Sequence, residues 1–243
     1  MSEQFVRTEL LLGAQALETL RGSRVCVFGV GGVGGYVVEA LARSGVGHLD
    51  IVDNDDVAES NLNRQIIALH STIGKSKVDV ARDRILDINP DVQVTVHKCF
   101  YLPETAAEFD FISYDYVVDA IDTVTAKIDI IMKCKEVGTP IISSMGTGNK
   151  LDPTKVQVTD IYKTEIDPLA KVMRRELKKR GIRKLKVVYS NEEPIKPDQA
   201  LVQAELDATD SVRRSIPGST AFVPPVAGLV IAREVVMDLI KNN

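Results

Sequence analysis

The residues of this chain that could do chemistry begin with the glycines of "VFGVGGVGGYVVEALARSG", Val27 to Gly45. Five of them crowd into seven positions, and Gly29-x-Gly31-x-x-Gly34, with Gly32 inside it, follows an apolar run and opens a helix-like one. Glycines so placed let backbone N–H groups approach a phosphate at a helix N-terminus. Asp53 closes the next apolar run, where a carboxylate can accept from ribose hydroxyls. These features alone fit NAD held for hydride transfer and ATP that is consumed about equally.

The residues after Asp53 separate the two. "DNDDVAESNLNRQ" gathers Asp55, Ser60, Asn61, Asn63, Arg64 and Gln65 just beyond a strand's carboxyl end. A simple dehydrogenase has no use for such a cluster there. A triphosphate does, because amide donors and a guanidinium can hold it in line for attack at the α-phosphorus. Lys75 and Lys77 of "IGKSKVDVA" stand at the start of a helical run, a second cationic anchor or simply a solvated helix end. In "VVDAIDTVTAK", Asp119 and Asp122 lie at another strand's carboxyl end, beside Thr123. A carboxylate there can hold Mg²⁺ on phosphates; alternatively, Asp122 caps the helix that begins near Thr125.

These groups meet only if strands and helices alternate so that the loops converge. Apolar runs predict strands over Arg24–Gly29, His48–Asp53, Val92–His97, Tyr116–Asp122, Pro140–Gly146 and Leu185–Ser190, with another within Lys155–Thr164. Helical periodicity predicts helices over Val33–Arg43, Lys77–Ile88, Thr125–Val137, Pro168–Arg180 and Pro224–Lys241. Strands alternating with helices give parallel pairing, hence an α/β protein with a Rossmann-like, doubly wound, mostly parallel sheet. With no linker between halves, the chain reads as one domain. It comprises a helical arm (1–22), a nucleotide-binding core (23–150) and a decorated C-terminal extension (151–243).

Composition narrows the class. The chain has 243 residues, 44% of them apolar and 26% charged, ample for a folded core. The net charge of −4 gives no global pull toward nucleic acid, so any such contact needs a local basic patch. Three scattered cysteines and no CxxC pair argue against a disulfide framework and against structural zinc. The start is too short and too charged for a signal peptide, and "FVPPVAGLVIA" is too short to span a membrane. A soluble cytoplasmic protein is expected.

In this order and spacing, "GVGGVGG", Asp53, "SNLNRQ", "IGKSK" and "DAID" resemble the ThiF/ubiquitin-activating-enzyme-like superfamily, whose members adenylate carboxylates. The resemblance implies that Asn61, Arg64 and Lys77 bind the triphosphate and that Asp122 is the magnesium or phosphate-side aspartate. Lys77 rather than Lys75 fits the G-x-x-K-x-x-x-A spacing from Gly74. Arg7, in "FVRTELLLG", resembles an arginine that reaches into the partner's ATP site in the family's homodimers. Members that activate the Gly-Gly tail of carrier proteins commonly have two CxxC pairs and a later cysteine. This chain has no CxxC and no cysteine after Cys134.

The C-terminal third is similar to one branch, the tRNA threonylcarbamoyladenosine dehydratases, through "DPTKVQVTDIYKTEIDPLAKVMRRELKKRGI" and "PGSTAFVPPVAGLVIAREVV". That resemblance implies ATP-driven cyclisation of the threonylcarbamoyl group on adenosine 37 of tRNA, with AMP and pyrophosphate as products. An intramolecular nucleophile would then replace a covalent cysteine relay. It further implies Mg²⁺, a possible Na⁺ or K⁺, and a possible cysteine desulfurase or sulfur-acceptor partner. The alternative is ThiF/MoeB-type adenylation of the C-terminal glycine of a sulfur-carrier protein.

Independently of any resemblance, Lys171 to Lys186 holds nine basic residues against Glu176 alone, Arg174, Arg175, Lys178, Lys179 and Arg183 among them. In a protein of net negative charge this is a candidate nucleic-acid surface, which the resemblance would make tRNA-binding, or else a solvated helix face. Thr209 to Ser219, with Arg213, Arg214 and Gly218, is a candidate lid over the substrate.

Overall fold

The computed structural model describes residues 3–208 and 217–241. Helices α1 (Val6–Leu12) and α2 (Ala14–Gly22) come first. Alternating strands and helices come next: β1 (Arg24–Phe28), α3 (Gly34–Arg43), β2 (His48–Val52), α4 (Lys77–Ile88), β3 (Gln93–His97), β4 (Tyr116–Asp119), α5 (Val124–Val137) and β5 (Ile141–Ser144). The last third adds β6 (Val156–Asp160), α6 (Pro168–Lys179), β7 (Lys186–Ser190), α7 (Gln199–Ala208) and α8 (Val223–Lys241). The strands form one sheet in the order β3-β2-β1-β4-β5-β7-β6. All neighbours are parallel except β6, which runs antiparallel to β7.

Successive strand residues point to opposite faces, and both faces are covered. Val25 and Val27 pack with α3, α4 and α8 through Leu41, Ile85 and Ile231, while Cys26 and Phe28 pack with α5 and α6 through Ile131 and Met173. Each such buried side chain contributes about 1.5–3 kcal/mol. The second face carries an aromatic group in which Phe28 meets Tyr101, Phe109 and Phe111. Local signals set the helix ends. Asp167 accepts from the Ala170 N–H at 2.7 Å with Pro168 in the first turn of α6, and Gly138 ends α5 at φ 81°.

Most expected elements form, several with tighter ends. The run Tyr116–Asp122 stops being a strand at Asp119 because the chain turns there toward the glycine loop, although the Ala120 N–H still donates to Phe28 O at 2.8 Å. β2 and β3 lie on one side of β1, and β4 and β5 on the other. The connections leaving β1 and β4 therefore diverge, which opens a crevice at their carboxyl ends, where ligands bind in open α/β sheets. Among the described residues, no helix is long and apolar enough to cross a membrane.

Candidate active site

The crevice between β1 and β4 is floored by the glycine loop. Gly29 takes φ +90°, and a Cβ there would sit 2.8 Å from Ala120 O. At Gly34 a Cβ would fall 1.8 Å from Gly29 O. Only glycine lets the strand end, the helix start and the β4 end come this close. α3 begins at Gly34 with no side-chain cap, so the positive end of its dipole faces the crevice.

Asp53 holds this loop in shape. Its Oδ2 accepts from the Val30 N–H at 2.7 Å and its Oδ1 from the Asp55 N–H at 3.0 Å. The carboxylate expected at a ribose thus also ties the glycine loop to the end of β2. Asp55, expected among the nucleotide-binding residues, pairs with Lys77 at 2.8 Å. Lys77 opens α4 and is buried, whereas Lys75 is exposed. The buried lysine is the one that the G-x-x-K-x-x-x-A spacing selects.

The polar cluster after β2 folds back onto the glycines. A 3-10 turn over Glu59–Asn61 buries Asn61, whose Oδ1 accepts from the Ala58 N–H at 3.1 Å. A Cβ on Gly32 would lie 3.4 Å from Arg64 Cγ, and one on Gly31 would lie 3.7 Å from Gln65 Nε2. Arg64 donates to Ser60 O at 2.9 Å and to Asn63 Oδ1 at 2.8 Å. It makes no ion pair with a carboxylate among the described residues, and burial pushes its guanidinium below its ordinary value. A half-buried cation beside a glycine loop, held only by neutral groups, is a seat for an anion. Buried Gln65 adds an Oε1 with no partner among the described residues.

The two aspartates of "DAID" part company. Asp119 is fully buried, 2.9 Å from Lys127 Nζ, and Ser143 Oγ donates to it at 2.5 Å. Asp119 is thereby closed off from the crevice, whereas Asp122 is exposed on the turn into α5. Thr123 is the N-cap residue of α5 and no side chain caps the helix, so Asp122 does not act as the cap. Sequence reasoning missed Lys127. Its buried ammonium also donates to Ile121 O at 3.2 Å and Ser144 O at 2.8 Å, so it fixes the residue just before Asp122. The available signal was a lysine within the otherwise apolar stripe of α5.

Arg7 is not brought to this chain's own crevice. Phe5 lies against Gly45, just before β2 begins, and the exposed Arg7 follows at the start of α1. It therefore stands at the amino-terminal edge of the strands, opposite the glycine loop. The basic segment on and after α6 is mixed. Arg175, Lys178, Lys179 and Arg183 are exposed, whereas half-buried Arg174 donates to Thr164 O at 2.7 Å and to the Thr164 hydroxyl. Glu176 binds Lys179, Arg180 and Arg175 together, and those contacts hold its carboxyl down at about 2. Of the segment read as a lid, residues 209–216 lie outside the described residues. Its far end is anchored, with Gly218 and Asn149 exchanging two 2.7 Å hydrogen bonds.

The three cysteines are free. Burial pushes the Cys134 thiol up to about 12 and raises those of Cys26 and Cys99.

Known proteins resemble this chain in sequence and in fold. The model of the ThiF family matches residues 4–242. A Bacillus subtilis tRNA threonylcarbamoyladenosine dehydratase is 49% identical over 245 residues, covering 100% of this chain and 96% of the relative. The crystal structure of the E. coli tRNA N6-threonylcarbamoyladenosine dehydratase in complex with AMP superposes with a TM-score of 0.88 at 35% identity, and its complex with ATP with 0.87 at 34%. Each superposition covers 99% of this chain and 95% of the other. The chain belongs to the ThiF family, and within it to the tRNA threonylcarbamoyladenosine dehydratases.

Proposed function

We propose that this protein uses ATP to cyclise threonylcarbamoyladenosine at position 37 of tRNA. A threonine carboxylate oxygen bonds to the α-phosphorus as pyrophosphate leaves. A nucleophile within the same modification then bonds to the acyl carbon as AMP leaves. The nucleoside loses one water, and ATP becomes AMP and pyrophosphate. The observation that carries this reading is Arg64, a half-buried cation with no carboxylate partner among the described residues, beside a glycine loop whose helix end also attracts phosphate.

In this reading the chain is one adenylation domain. The glycine loop seats the nucleotide, Asp53 meets the ribose, and Asn61, Arg64 and Lys77 hold the triphosphate. Ser60, Gln65, Asp55 and Thr123 line the same crevice. Lys77 must exchange its bond to Asp55 for phosphate as ATP arrives. Among the described residues, no three His, Cys, Asp or Glu side chains converge into a metal cage. Mg²⁺ needs none, since one or two carboxylates plus substrate phosphates satisfy it. Exposed Asp122 fits that role, and Mg²⁺ would offset the charge that builds on the phosphates.

Arg7 would serve a second copy's crevice in a homodimer. The position of α1 away from its own site supports this, as do the exposed Leu10 and Leu11 beside Arg7. Arg175, Lys178, Lys179 and Arg183 would track tRNA phosphates, with Arg174 bracing the start of α6. A monovalent cation in the C-terminal third, a sulfur-acceptor or cysteine desulfurase partner and a cytoplasmic location belong to the same reading.

The test supplies ATP, Mg²⁺ and tRNA with or without the threonylcarbamoyl group. Release of AMP and pyrophosphate only with the modified tRNA is expected. Pyrophosphate exchange driven instead by a Gly-Gly-tailed protein would point to carrier activation. ATP binding with no AMP from any acceptor would indicate a nucleotide-sensing module.

A further inference from the structure

Phe222 is an aromatic side chain that the fold leaves in solvent, 56% exposed and more so than Phe100 at 47%, whereas Phe5, Phe28, Phe109 and Phe111 are all buried. It stands just before α8 on a strip fixed to the crevice at both ends. Upstream, Ser219 O accepts from Asn63 Nδ2 at 2.9 Å, and Asn63 is the residue that Arg64 also bonds. Downstream, a Cβ on Gly32 would lie 3.3 Å from Pro224 Cβ, and one on Gly228 would fall 2.4 Å from Val33 O. At no more than about 3.6 Å per residue, Phe222 lies within about 11 Å of Ser219 and about 7 Å of Pro224. The ring is therefore on the rim of the crevice, and nothing in the core claims it.

We infer that Phe222 is the stacking platform for the purine ring of the substrate nucleoside, a binding subsite separate from the ATP seat. This inference rests on the function proposed above. The reacting carboxylate hangs on a short arm from the purine's exocyclic nitrogen. Placing it over the glycine loop forces the base out of the RNA stack and leaves the ring at the rim. Proteins that take single-stranded RNA bases stack them on exposed aromatic side chains. A ring anchored through Pro224 against Gly32 holds the base at a set distance from the triphosphate, so stacking would also aim the carboxylate.

The chain contains no tryptophan, so Phe222→Trp gives it a single indole at this position. We expect tRNA carrying threonylcarbamoyladenosine to quench its emission, saturating near the tRNA KM, while ATP alone leaves it unchanged. Phe222→Ala should raise the KM for tRNA about tenfold, leave the KM for ATP unchanged and retain the folded-state Tm; Phe222→Tyr should restore the tRNA KM. Quenching by ATP alone would overturn the proposal, since the ring would then pack on the nucleotide. A blue-shifted, concentration-dependent emission without tRNA would also overturn it, because a second copy would cover the ring. An unchanged tRNA KM in Phe222→Ala with an active wild type removes only the stacking role. A wild type that removes no water from the modified nucleoside removes the proposed function itself, and the stacking role with it.

Discussion

Two groups of cations in this molecule are handled in opposite ways. Beside the glycine loop, Arg64 is half-buried and, among the described residues, bonded only to Ser60 O and Asn63 Oδ1. On α6 and at its end, Arg175, Lys179 and Arg180 are exposed and already neutralised in part by Glu176. A desolvated cation without a counter-ion is costly and pays off only when a specific anion fills the gap. An exposed cluster with its own anion is solvated, easily maintained and tolerant of a sliding polyanion. The first arrangement suits one phosphate group in one geometry, and the second suits a backbone followed loosely.

The contrast can be broken at several points. Under the crevice, Lys127→Met would leave the Asp119 carboxylate buried without its counter-charge. It should cost about 3–5 kcal/mol, read as a large fall in Tm. Next comes Arg64→Ala, expected to lower kcat/KM about 100-fold or more with little change in Tm. Arg64→Lys should rescue poorly, because a point charge cannot replace the fork. Loss of stability comparable to the Lys127 variant would instead make Arg64 structural.

Effects on the α6 side should be smaller and salt-dependent. Reversing Arg175, Lys178, Lys179 and Arg183 should weaken tRNA binding about tenfold and lower the salt slope by about one for each phosphate no longer neutralised. An unchanged slope would leave the patch a solvated face. Glu176→Gln should tighten tRNA binding about twofold by releasing three cations. The Glu176 carboxyl sits below its ordinary value, so its ion pairs are complete above the usual carboxylate range and lost only as pH falls through about 2. The effect of Glu176→Gln should therefore be the same at pH 6 and pH 8. Smallest of all, Cys99→Ser should leave turnover unchanged, since burial raises all three thiols and the proposed chemistry uses none.

The same contrast explains what was legible in the chain. Residues whose placement follows from local pattern were readable: the glycines between β1 and α3, Asp53 after β2, and α4 from Lys77 to Ile88. Their neighbours in sequence largely determine them. What was hidden depends on partners far along the chain. Lys127 stands in the apolar stripe of α5, but its acceptor Ser144 O comes from β5, and Arg174 reads as part of the basic face until Thr164 claims it. Asp119 and Asp122 look equivalent in "DAID", yet burial of one and exposure of the other are decided by the packing of α5. Helix α7 carries too weak an apolar pattern to be read, and in the structure its Leu201 stays exposed.

The fate of the modified nucleoside tests the proposed chemistry most directly. Wild-type protein and Asp122→Ala, each given ATP, Mg²⁺ and bulk tRNA, can be compared by mass spectrometry of the digested nucleosides. The wild type is expected to remove one water from threonylcarbamoyladenosine for each AMP formed, and Asp122→Ala to remove none. AMP formed without any loss of water, or full activity in Asp122→Ala, would contradict that chemistry.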